Sequence, residues 1–139
     1  MKKITIIIGF CLFFLCCFTD CSKKNSSGGG GRTVTEENLL IGIDPDPGIT
    51  VVASIGASYD FKTLIKSKMP VAGVKIDLVC TKDADNSAVS SQTLNSLSTP
   101  VSLSVGNLQP GVLCTVKVTI TSVSKPSNIA SLNFKVARK

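Results

Sequence analysis

Cysteine is the residue type in this chain with the most chemistry to offer, and the six cysteines fall into two groups. Cys11, Cys16, Cys17 and Cys21 lie close to the N-terminus, whereas Cys80 and Cys114 stand apart in strand-like sequence. A thiol can be acylated, bonded to a second thiol, held by zinc, or used as a nucleophile. The chain has no His, which removes the commonest general base and excludes Ser–His and Cys–His nucleophilic catalysis. Two Cys without a His also cannot complete a tetrahedral zinc site. A Ser–Lys pair stays open, but no Ser sits in a recognisable motif. Acylation and disulfide formation are therefore the cysteine chemistry to look for.

The carboxylates offer less. A glycosidase-type pair would have to come from Asp44, Asp46, Asp60, Asp77, Asp83 and Asp85. Most of these sit in turns or at alternating, solvent-facing strand positions. Asp83-x-Asp85-x-Ser87 has the spacing of part of a calcium loop, but it lacks the Gly and the closing Glu of such a loop and reads as a polar turn. Asp44-Pro45-Asp46-Pro47-Gly48 is ordinary turn chemistry. The expectation is a protein that is not an enzyme and needs no cofactor or metal. Aromatic supply restricts binding in the same way. Four of the six Phe precede residue 20, which leaves Phe61, Phe134 and Tyr59 beyond it. Core packing needs Phe134 and Phe61, so no aromatic platform remains for sugars or single-stranded nucleic acid. Protein binding through a sheet edge or through loops needs only backbone groups and mixed polar side chains, and it stays open.

The elements that carry these residues begin with an address. Lys2 and Lys3 precede an uncharged apolar run from Ile4 to Phe18. At about 15 residues the run is shorter than a comfortable bilayer span, and a basic start with a short apolar stretch reads as a secretory signal peptide. Thr19-Asp20-Cys21 ends it, and Ser22-Lys23-Lys24, Asn25, two Ser and four Gly follow. A Cys between an apolar segment and a flexible polar stretch resembles the bacterial lipoprotein signal, in its relaxed form that of Bacteroidota lipoproteins. The resemblance implies that the Cys21 thiol is acylated and that Cys21 becomes the N-terminus after cleavage. Cys16 and Cys17 have bulky apolar neighbours, and Cys21 alone faces the linker. The alternatives are an ordinary signal peptide with incidental cysteines, or an uncleaved anchor. The division expected is a signal peptide over 1–20, a lipid-anchored tether over 21–36 and a domain over 37–139. A Gly- and Ser-rich tether of this length has an r.m.s. reach on the order of 20 Å. Its Gly run follows no strand and has no phosphate-loop spacing.

From Asn38 onward the hydrophobic period is two, and Val, Ile and Thr abound. Strands are expected over 38–43, 49–55, 59–67, 74–81, 88–94, 101–105, 114–121 and 130–136. Ile49, Val51, Ala53 and Ile55 form one face of the second; Val74, Ile76, Leu78 and Cys80 form one face of the fourth. Seven or eight short strands with regular turn signals indicate an all-β, two-sheet antiparallel sandwich. Leu108-Gln109-Pro110-Gly111-Val112-Leu113-Cys114-Thr115-Val116-Lys117-Val118 resembles the E–F corner of fibronectin type III domains, with Cys114 where that family places its corner Tyr. The resemblance implies an immunoglobulin-like or fibronectin III-like sandwich for residues 37–139. In that topology the strand ending at Cys80 is C, and the strand beginning at Cys114 is F, its antiparallel neighbour. Both Cys then lie on the inward face at one end of the sheet, which implies a Cys80–Cys114 disulfide suited to an exported, oxidising compartment. The chain-entropy model values such a loop at roughly 4 kcal/mol. A pair of reduced, buried, small apolar residues is the alternative.

The net charge of +6 divides evenly. Lys2, Lys3, Lys23, Lys24 and Arg32 against Asp20 and Glu36 put +3 outside the domain, and the domain's own lysines are scattered over many strands. That is a solvated surface and not a nucleic-acid footprint. The expected function is a lipid-anchored envelope protein of the outer membrane, whose domain is a non-catalytic interaction module with a protein partner. The loops after Ile43, Ser67 and Thr81 are its expected contact sites. A structural spacer is the alternative. A sandwich-type protease inhibitor is a weaker one, since the Asn-Pro-Thr-Thr-Gly loop of such inhibitors has no counterpart here.

Overall fold

Alternation of β-branched residues with polar ones puts one face of a strand in a core and the other in water. In the computed structural model, which describes residues 35–139, that pattern produces eight strands and no helix among the described residues. They are β1 (Ile41–Asp44), β2 (Val52–Ser54), β3 (Tyr59–Ile65), β4 (Val74–Lys82), β5 (Ala88–Ser96), β6 (Val101–Val105), β7 (Leu113–Ser122) and β8 (Ile129–Arg138). Two sheets form, one in the order β1-β3-β6 and the other in the order β2-β8-β7-β4-β5. The signal segment 1–20, Cys21 and the tether up to residue 34 lie outside the described residues.

The core lies between the two sheets. Val74, Ile76, Leu78 and Cys80 of β4 face inward, beside Cys114, Val116, Val118 and Ile120 of β7, and all are fully buried. The β4–β7 ladder sets Ile76 opposite Ile120 and Leu78 opposite Val118. From the facing sheet come Ile43, Phe61, Thr63, Ile65, Leu103 and Val105. Tyr59, Phe61 and Phe134 make one aromatic cluster, in which Phe61 meets Phe134 edge-on at 5.2 Å between ring centres and Tyr59 stacks on Phe61 at 5.9 Å. This places the scarce aromatics inside, as composition required. Leu39, ahead of β1, and Leu108, between β6 and β7, are buried with this core.

Two details depart from the sequence reading. The strand expected over 49–55 shrinks to Val52–Ser54, and the inward residues are Val52 and Ser54; Ile49, Val51 and Ile55 are exposed. The sandwich is also not wholly antiparallel, because β2 pairs with β8 in parallel, Val52 opposite Val136. Pro45, Pro47 and Gly48 explain both. Two prolines, which have no backbone N–H, cannot continue β1's ladder, and Gly48 takes a positive φ of 61°. The chain therefore leaves the first sheet after Asp44 and joins the second without reversing direction.

Turns lock the remaining connections. Gln109-Pro110-Gly111-Val112 is closed by a bond from Val112 N–H to Gln109 O, with Gly111 at φ 71°. Proline at the second position and a left-handed glycine at the third are what a type II turn requires. At β5 the ladder skips a residue: Cys80 faces Ser90 while Thr81 faces Ala88, leaving Val89 as a bulge that packs on the core.

Candidate functional site

Cys80 and Cys114 meet as the sequence expected, on adjacent strands, on one face and at one end. The register adds an offset: Cys80 stands opposite Val116, and Cys114 opposite Lys82. The pair is therefore diagonal across the β4–β7 ladder. Both are free thiols. Burial pushes the Cys80 thiol up to about 12, with the neighbouring Cys114 adding to the rise and Asp83 contributing last. The Cys114 thiol points at Val112 O, 3.9 Å away. Burial thus holds the Cys80 thiol in its protonated form at neutral pH.

The carboxylates do not converge. Asp83 accepts from Thr115 Oγ1 at 2.6 Å and pairs with the Lys135 ammonium across β7 and β8. The Lys135 contact, then that of Thr115, holds Asp83 below the usual carboxylate range. Asp85 turns back onto Ser87, whose N–H it accepts at 2.9 Å. Asp46 does the same for Gly48 N–H at 2.9 Å. Asp60 is bonded by Ser104 at 2.5 Å, and Asp77 by Thr93 at 2.6 Å. Among the described residues no three His, Cys, Asp or Glu side chains are grouped so as to hold a metal ion.

Two surfaces have more structure than these scattered groups. The first is the end of the sandwich where residue 35 begins. Asn128 of the β7–β8 loop is buried, and it receives the incoming chain with both halves of its amide. Its Oδ1 accepts from Leu39 N–H at 2.9 Å, and its Nδ2 donates to Glu37 O at 2.8 Å. Ser122 Oγ donates to the Glu36 carboxylate, and Lys68 N–H donates to that of Glu37. Between this segment, the β3–β4 loop and the β7–β8 loop opens a cavity of about 590 Å³, lined by Glu36, Lys68, Met69, Val71 and Lys125 among others. Of the three loops expected to make contacts, the one after Ser67 forms this wall. The loop after Ile43 is the crossover described above, and the one after Thr81 is a tight turn closed by Lys82 and Ser87. Nothing in the sequence marked Asn128, which reads as one more turn residue in Lys125-Pro126-Ser127-Asn128.

The second surface is the outer edge of β5. This strand pairs with β4 on one side only, so its other row of N–H and C=O groups has no strand partner. Its nine residues, Ala88-Val89-Ser90-Ser91-Gln92-Thr93-Leu94-Asn95-Ser96, contain no charge and no Pro. Edge strands are normally guarded by Lys, Pro or short length. The bulge at Val89 breaks only one end of this one. Beside it lies a groove of about 500 Å³, where Gln92 faces Ser102, Leu103 and Ser104.

No family model matches the chain, and neither a curated protein nor a solved structure was found to be similar to it.

Proposed function

We propose that this is an exported protein held to the cell envelope, at the outer membrane, by a lipid on Cys21, and that its domain is a non-catalytic interaction module of the immunoglobulin-like, fibronectin III-like kind. The strand order supports that kinship. Assigned as A, A′, B, C, C′, E, F and G, the eight strands give an A-B-E sheet against an A′-G-F-C-C′ sheet. The binding surface is the β5 edge, and its ligand is an extended segment of a protein partner that adds as a further strand. Main-chain hydrogen bonds supply affinity in such an arrangement, and alternate side chains supply selectivity. The observation that carries this reading is the uncharged, proline-free nine-residue edge.

Proline placed singly at Ser91 and at Gln92 tests it. Adjacent N–H groups in a strand point to opposite sides, so one substitution removes a bond to β4 while the other removes an outward N–H. The outward variant should keep its thermal midpoint and lose the protein captured from envelope extracts by the unaltered domain. Capture that survives that variant would reject the edge, and no capture by either protein would favour a spacer.

The same reading places Cys80 and Cys114 in an oxidising compartment, where we propose they close to a disulfide.

A further inference from the structure

The end of the sandwich that receives the tether is also where its exposed apolar side chains collect. Among the described residues nine large hydrophobics are exposed, and five of them, Leu40, Val71, Leu97, Val123 and Ile129, stand at this end. Three surround one residue, Gly73. Val71 lies in the turn closed by the bond from Gly73 N–H to Pro70 O, and Val123 N–H donates to Gly73 O at 3.1 Å. The Leu97 side chain lies 2.8 Å from where a Cβ on Gly73 would stand. Val71 is 88% exposed, Leu97 74% and Val123 49%. Scattered surface hydrophobics are normal, but three loop tips gathered at one end are a patch.

Charge on this end is asymmetric in reach. The Glu36 and Glu37 carboxylates are engaged by Ser122 Oγ and Lys68 N–H. The ammonium groups of Lys68 and Lys125, on the rim of the same cavity, make no ion pair among the described residues. Apolar tips with cationic side chains beside them fit the boundary between acyl chains and anionic headgroups. Chain length fixes the occupant. Only residues 22–34 separate Cys21 from this end. A Gly- and Ser-rich stretch of that size reaches on the order of 20 Å. Tethering over so short a span gives an effective concentration in the millimolar range, so a weak surface affinity suffices.

We propose that this end docks on the lipid bilayer, with Val71, Leu97 and Val123 at the acyl–headgroup boundary and Lys68 and Lys125 against anionic headgroups. The inference rests on the lipid anchor at Cys21. Docking leaves the β5 edge lateral to the membrane and open to a partner.

The chain has no Trp, so a single introduced Trp reports its own surroundings. The full-length lipidated protein carrying Val71→Trp, and a second carrying Ile55→Trp, are reconstituted into phosphatidylethanolamine–phosphatidylglycerol vesicles with brominated acyl chains. Ile55 is 92% exposed and lies past β2 beside the C-terminus, at the opposite end. The expected result is that both proteins float with the vesicles, and that fluorescence at position 71 is quenched several-fold more than at position 55. Adding Lys68→Glu and Lys125→Glu to the Val71→Trp protein should lower that quenching. Flotation with equal quenching at both positions overturns the docking and leaves the anchor standing. Failure to float overturns both.

Discussion

Asn128 grips Leu39 across 89 residues of sequence, its Oδ1 accepting the Leu39 N–H at 2.9 Å. Its Nδ2 holds Glu37 O in the same grip. Because Leu39 and Asn128 are both buried, the Leu39 N–H has no easy replacement partner once the amide is removed. Asn128→Ala should therefore cost about 1–3 kcal/mol of stability. Asn128→Asp keeps the acceptor and loses the donor, and it should fall between. Thermal unfolding measures the cost, and hydrogen exchange should show the Leu39 amide losing protection first. An unchanged midpoint would mean that the clamp does not hold the incoming segment.

Gly73 and Gly111 both have positive φ, 79° and 71°, but their surroundings differ. A Cβ at Gly73 would stand 2.5 Å from Ser96 O, whereas one at Gly111 meets nothing within 4 Å. Gly111→Ala should cost only the backbone strain, about 1–2 kcal/mol. Gly73→Ala adds a clash with main chain that cannot move away without opening the β5–β6 connection, so it should be the more damaging by a clear margin in denaturant unfolding. Equal costs would count against the packing described at that end.

The buried thiols predict a reactivity pattern. With its pKa at about 12, Cys80 in the folded, reduced domain should resist iodoacetamide at neutral pH and react only after unfolding. Rapid alkylation of the folded protein would contradict its burial. Intact mass of the purified domain before and after reductant decides the proposed disulfide: a gain of two hydrogens means Cys80 and Cys114 were bonded, and no change means they were not.

Acid should destabilise the domain through its turn and strand carboxylates. Asp77 is held low first by Thr93 and then by Lys75, Asp83 by Lys135 and then Thr115, and Asp85 by Ser87. A carboxyl whose folded pKa lies below its unfolded value, about 3.9, adds stability that is present above that value. The contribution disappears as pH falls through the folded pKa. The thermal midpoint should thus decline below roughly pH 4, and Asp83→Asn should shallow that decline. A midpoint indifferent to acid would show these contacts to be inconsequential.

How far the sequence could be read followed from what each signal physically encodes. Period-two alternation at Val74–Cys80 and Cys114–Ile120 reports burial directly, so the two central strands and the shared face of the two cysteines were legible. The same alternation misled at 49–55. There Pro45 and Pro47 reroute the chain between sheets, and apolar residues at Ile49, Val51 and Ile55 were left outside. Register is a property of pairs of strands, so the two-residue offset between Cys80 and Cys114 could not be seen from either strand alone. Asn128 and the Gly73 patch join residues far apart in sequence, and no local pattern announces them.

The proposed envelope anchoring and membrane docking both depend on a lipid at Cys21. Metabolic labelling with radiolabelled palmitate, comparing the unaltered chain with Cys21→Ser in a lipoprotein-processing bacterium, tests that attachment most directly. Label on the unaltered protein and none on the variant is the expected result. Label retained after Cys21→Ser, or absent from both, would contradict it.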